Sequence, residues 1–124
     1  MASILLFNLP LEKQTFLQVM SVRLNFKCRM INPADQFSPI CELLSGTECT
    51  PSHGKPFHDE MLIMDGFSHQ DLNFLLNEMI RSGNTILLKA VTTPTNMSWT
   101  PALLHTQLVV ENRNMSGRFP EATV

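Results

Sequence analysis

Glycine is scarce in this chain, with 5 in 124 residues, and none stands in a run that builds a backbone cradle for phosphate. The same scarcity removes the strand-to-helix nucleophile elbow, G-x-S-x-G, which is absent. The three cysteines, Cys28, Cys41 and Cys49, are odd in number and form no C-x-x-C pair. That fits reduced thiols in a cytoplasmic protein better than a disulfide framework. Basic charge is also short. Lys and Arg total 9 against 11 Asp and Glu, and the basic residues are scattered from Lys13 to Arg118. A net charge of -2 without a basic patch argues against nucleic acid or an anionic membrane surface as partner. No apolar run approaches the roughly 18 residues of a membrane span. The opening MASILLFNLPLEK lacks the basic start of a secretory signal.

What is present is a core. Hydrophobic residues make up 44% and charged residues 16%, enough to fold and too apolar for disorder. The length suits one domain, read as residues 1–116, with a frayed tail over 117–124. Residues 3–8 (SILLFN) read as a buried first strand ended by Asn-Leu-Pro. A helix follows over 12–24, with Phe16, Leu17, Met20 and Leu24 on one face. Lys27 and Arg29 alternate with Cys28 and Met30 in a second strand over 26–31, which suits a sheet edge. Asp35 caps a second helix carrying Phe37, Ile40, Cys41 and Leu44 inward, and Gly46 stops it. Residues 46–59 read as a mobile loop. A third strand occupies 61–64, and Ser68 to Asp71 forms a capping box for a helix with Leu72, Leu75, Leu76 and Met79 inward. Gly83 ends that helix. The last strand spans 85–92, and Thr100 and Pro101 open a final helix.

The order βαβαβαβα favours parallel pairing through helical crossovers. The expected fold is a three-layer α/β domain with a four-stranded, mainly parallel sheet in the order 2-1-3-4. The competing arrangement is a ferredoxin-like α+β sheet with an extra C-terminal helix. No internal repeat is evident.

The stretch LLKAVTTPTNMSWT resembles the signature of a small uncharacterised bacterial domain family, a domain of unknown function. In that family a strand reading LKAVLTPTN leads through two residues to Trp-Thr and a helix. ILLFN, INPADQ and MLIMDGFSHQDLNFLLNEM extend the likeness across roughly residues 3–108. Thr92 stands where the family has Leu, Asp65 where it has Ser, and Pro101-Ala102-Leu103 lacks the capping Glu. The resemblance bears on the boundaries of the domain and implies no activity, cofactor or partner.

In a parallel sheet, ligands bind outside the carboxyl ends of the strands. That edge is expected to gather Asn8, Asp65, Thr93, Asn96 and Trp99, with Asn and Thr as hydrogen-bonding groups and Trp99 as a wall. Each also has a structural role available, as turn, cap or packing residue. Asp65 ends a strand where a receiver-like phosphoacceptor keeps its aspartate, but Asn8-Leu9-Pro10 stands where acidic metal ligands are needed. Lys89 lies inside an apolar strand and needs either a counter-charge, for which Asp65 is the candidate, or an edge position from which to reach water. Cys41, Cys49, His53 and His58 have zinc-type side chains in a spacing, C-x7-C-x3-H-x4-H, that matches no standard finger. Neither a metal nor a cofactor is expected. The resulting reading is a non-catalytic interaction or regulatory module, with a protein partner or a homodimer through the 26–31 edge. The alternative is a small-molecule or anion binding protein, or an enzyme, using the carboxyl edge.

Overall fold

A computed structural model describes residues 2–46 and 55–115. Its elements are β1 (Ala2–Phe7), α1 (Leu11–Leu24), β2 (Phe26–Met30), a 3-10 turn (Pro33–Phe37), α2 (Ile40–Ser45), β3 (Met61–Asp65), α3 (His69–Ser82), β4 (Leu88–Val91), a second 3-10 turn (Asn96–Ser98) and α4 (Pro101–Met115). The four strands form one sheet in the order β2-β1-β3-β4.

Two strand pairs, β1 with β2 and β3 with β4, are parallel. The central pair, β1 with β3, is antiparallel, with Phe7 opposite Met61 and Ser3 opposite Asp65. The sheet is therefore mixed. Each parallel pair is closed by its own helix, α1 or α3, as a βαβ unit requires. Among the described residues of the link between the units, from Ile31 to Glu60, the regular α-helix is the six residues of α2, too short for the helical crossover that would set β3 parallel to β1.

The central strands are buried on both faces because helices cover both. Ile4, Leu6, Leu62 and Met64 pack under Leu17 and Met20 of α1 and Leu75 and Met79 of α3. Leu5, Phe7, Met61 and Ile63 pack under Ile40 and Leu43 of α2 and Leu104 of α4. This gives three layers, and it explains why these strands read as continuous apolar runs rather than alternating ones.

The two βαβ units are built alike. Asn8 at φ 58° and Gly66 at φ 76° follow the two central strands. Pro10 and Ser68 then take matching extended cap conformations (φ -67° in both), and each opens a helix of 14 residues. Both helices end on a left-handed residue, Asn25 or Gly83. The second unit repeats the first about 58 residues later, and the antiparallel centre relates them by a pseudo-two-fold axis normal to the sheet. The repeat missing from the sequence is thus present in the backbone.

Local signals hold at the caps. Ser68 Oγ accepts from the Asp71 N–H, Thr100 Oγ1 accepts from the Leu103 N–H, and Gly46 and Gly83 adopt left-handed conformations. The second helix departs from expectation. Pro39 forces the residue before it into extended geometry (Ser38 φ -96°, ψ 146°), which splits the segment into the 3-10 turn and α2. The inward face becomes Ile40 and Leu43, and Cys41 is exposed.

Candidate functional site

The antiparallel centre divides the expected binding edge in two. The carboxyl ends of β1 and β2 lie at the same edge as the amino ends of β3 and β4. Asp65 is in register with Ser3, so Asn8 stands five residues along the strand from it, roughly 16 Å at the usual rise. Asn8 is therefore not brought together with Asp65, Thr93 and Asn96.

At the β3–β4 carboxyl edge, Thr92 Oγ1 donates to Asp65 Oδ1 at 2.5 Å. Asn96 is buried, and both ends of its side-chain amide are occupied. Its Oδ1 accepts from the Thr93 N–H at 2.8 Å, and its Nδ2 donates to Val91 O at 3.1 Å. Thr93 Oγ1 returns a bond by accepting from the Asn96 N–H at 3.1 Å. Trp99 is half-buried in the α2–α4 layer, and its carbonyl accepts from the Ile40 N–H at 2.9 Å. These residues fasten the end of β4 to the start of α2 and α4.

Asn8 works at the opposite edge, where Nδ2 donates to Phe57 O and Asp59 O. The fully buried Gln36, which the sequence did not mark, holds the same segment through both the N–H and the C=O of Phe57. The Phe57 ring stacks on His105 with centroids 4.2 Å apart, and His105 Nε2 meets Asp59 Oδ2 at 2.8 Å. Beside it, Lys13 bridges Glu60 Oε1 and Thr85 O. Sequence reasoning missed this cluster, whose partners lie far apart in the chain and carry no short-range motif.

The cluster borders an open groove of about 600 Å³ along the amino end of β4, lined among others by Lys13, Glu60, Leu87, Lys89 and Val109. Lys89 is half-buried there. It does not pair with Asp65; it lies on the edge strand β4 in register with Leu62 of β3, and its Nζ donates to Ile86 O. Desolvation by burial lowers its pKa from the ordinary 10.5. Among the described residues no carboxylate forms an ion pair with it.

For the zinc-type set, Cys49 and His53 lie outside the described residues, as does the tail over 117–124. His58 and Cys41 are exposed. Among the described residues no group of three or more His, Cys, Asp or Glu is placed to hold a metal. Within the same residues no helix is long and apolar enough to cross a membrane.

The mixed sheet defines an α/β domain whose β4 edge borders an open, partly apolar groove. Residues 60–115, which span β3 to α4, match a family described as a domain of unknown function (DUF3783). The matched stretch contains both MLIMDGFSHQDLNFLLNEM and LKAVTTPTNMSWT. Comparison with curated proteins and with solved structures finds no match.

Proposed function

We propose that the chain is a non-catalytic, cytoplasmic protein-interaction module that accepts an extended segment of a partner as an added strand beside β4. The observation that carries this reading is the open edge of β4. The Thr92 N–H donates inward to Met64 O, so the two-residue period turns the Lys89 and Val91 backbone groups outward. Val91 O is taken by Asn96 Nδ2, which leaves the Lys89 N–H and C=O and the Val91 N–H facing a partner. Exposed edges template strand addition unless charge blocks them. The other edge, β2, carries two exposed basic residues, Lys27 and Arg29, against the single half-buried Lys89 on β4. The approach to β4 instead presents Leu87, 72% exposed, above the groove. An apolar side chain of the partner fits against Leu87 and Val109, and a carboxylate fits Lys89. The free thiols of Cys28 and Cys41 support a reducing compartment.

The half-buried Lys89 ammonium also favours a second reading, a small anionic ligand in the groove. Panning a displayed random-peptide library on the full chain separates the two. Strand addition predicts recovered peptides that bind in extended form and lose at least tenfold in affinity to Leu87→Lys. A thermal shift with small anionic metabolites, abolished by Lys89→Met and reached without any peptide, favours the second reading. Recovered peptides indifferent to Leu87→Lys overturn the first.

A further inference from the structure

The outer face of α1 differs from the helix surface that the fold provides as its counterpart. Leu11, Thr15, Gln18, Val19 and Val22 are all exposed, and no charged residue interrupts them. Leu11, Thr15, Gln18 and Val22 stand at intervals of four, three and four, which forms a single stripe along the helix. Leu11 is 75% exposed and Val22 83%. The pseudo-two-fold supplies an internal control. The matching positions on α3 are His69, Asn73, Leu76, Asn77 and Ile80; His69, Asn73 and Asn77 are polar, Leu76 is half-buried against the core, and Ile80 is the exposed apolar residue among them. Two helices with the same role toward the core therefore present different chemistry outward, and α1 exposes three large apolar side chains at these positions, Leu11, Val19 and Val22, against one, Ile80, on α3.

Charge along the flank of that stripe says what covers it. Glu12 near the start and Arg23 near the end of α1 lie on the same flank, about 100° and 120° around the helix from Leu11 at 100° per residue. Glu12 forms no ion pair among the described residues, whereas the Arg23 guanidinium is held over the Phe74 ring, 5.6 Å from its centroid. Turning a second α1 antiparallel about a two-fold axis sets Leu11 against Val22 and Thr15 against Gln18. The same operation keeps the charged flanks on one side and brings Glu12 of each copy to Arg23 of the other. A parallel alignment would place the two flanks on opposite sides and part these charges. The surface is complementary to itself in one orientation, as a two-fold interface requires.

We infer that the outer face of α1 is a homodimer interface in which two copies of this chain pack α1 against α1 antiparallel, with reciprocal Glu12–Arg23 pairs. The face is separate from the β4 edge, which lies across the β3–β4 unit, so the two contacts are independent. A helix of 14 residues is about 21 Å long. A contact of that length lies at the low end of specific interface sizes, so association is concentration-dependent rather than obligate.

Sedimentation equilibrium on the full chain tests it. The weight-average mass is expected to climb from one chain toward two over roughly 10 μM to 1 mM, the range a small interface supports. Val22→Glu places a carboxylate in the stripe and is expected to weaken association at least tenfold. Arg23→Glu alone weakens it by setting like charges together, and the double exchange Glu12→Arg with Arg23→Glu restores it. Circular dichroism on each variant confirms that the fold is kept, as the exposure of these positions leads us to expect. A wild-type chain that stays monomeric throughout overturns the inference. So does a dimer indifferent to Val22→Glu. A double exchange that fails to recover what Arg23→Glu loses overturns the antiparallel arrangement and the inference with it.

Discussion

Replacing Asn96 by Ala removes two hydrogen bonds from a buried turn and leaves the surface of the molecule almost unchanged. The side chain accepts from the Thr93 N–H at 2.8 Å and donates to Val91 O at 3.1 Å, and Asn96 itself is 7% exposed. Each lost bond costs about 1 kcal/mol when water can replace it, and up to about 3 kcal/mol when the backbone group stays buried and unpaired. Thr93 is exposed and Val91 is half-buried, so the first figure suits the Thr93 N–H and an intermediate one suits Val91 O. The sum is about 2–3 kcal/mol. For a domain of this size that lowers Tm by about 10 °C. Urea titration monitored by circular dichroism measures it, with an unchanged m-value showing that the unfolded state is not the cause. Thr93→Ala, which removes only the acceptor for the Asn96 N–H, is expected to cost about 1 kcal/mol. A loss below about 0.5 kcal/mol for Asn96→Ala would refute the assignment of Asn96 to turn construction and return it to ligand binding.

Lys89 has its pKa lowered by burial, so the unfolded state binds more protons just below pH 10.5 and stability rises with pH through that window. Lys89→Met removes this contribution. The wild-type minus variant stability is therefore expected to increase as pH rises toward 10.5, and a flat or falling difference contradicts it. Burial pushes the Cys28 thiol up to about 11, whereas Cys41 is exposed. Iodoacetamide at about pH 8, followed by peptide mapping, is expected to label Cys41 well before Cys28, and equal rates would mean that α1 does not cover Cys28. Ser68→Ala removes the cap on the Asp71 N–H and is expected to cost about 1 kcal/mol. An unchanged urea midpoint would show that the cap is dispensable.

How far the fold could be read from the chain depended on the range of the signal. Caps are local chemistry, and Ser68, Gly83 and Thr100 fill the positions their residue types predict. Strand order followed from apolar runs alternating with helical stripes. Strand direction at the centre did not, because the link from Ile31 to Glu60 has no rule of its own. That one reversal explains why Asn8 parts from Asp65 and Asn96. The repeat of the βαβ unit is hidden in the amino-acid sequence for a different reason. Over residues 2–25 and their counterparts only Phe16 with Phe74, Leu17 with Leu75 and Arg23 with Arg81 are identical. Backbone equivalence there is carried by left-handed residues and apolar character, which Asn8 and Gly66, or Leu6 and Met64, satisfy with different side chains. The Lys13–Glu60 and Asp59–His105 pairs are set by tertiary packing alone.

Strand addition at β4 is tested most directly by a nitrogen-15 titration of the full chain with the tightest peptide from the display experiment, followed by amide hydrogen exchange. Binding beside β4 predicts that the outward Lys89 and Val91 amides exchange rapidly in the free chain and become protected on binding, while the inward Thr92 amide, already bonded to Met64 O, changes little. Perturbations concentrated instead at Asp65, Thr93 and Asn96, or along β2, with Lys89 and Val91 left unprotected, would contradict it.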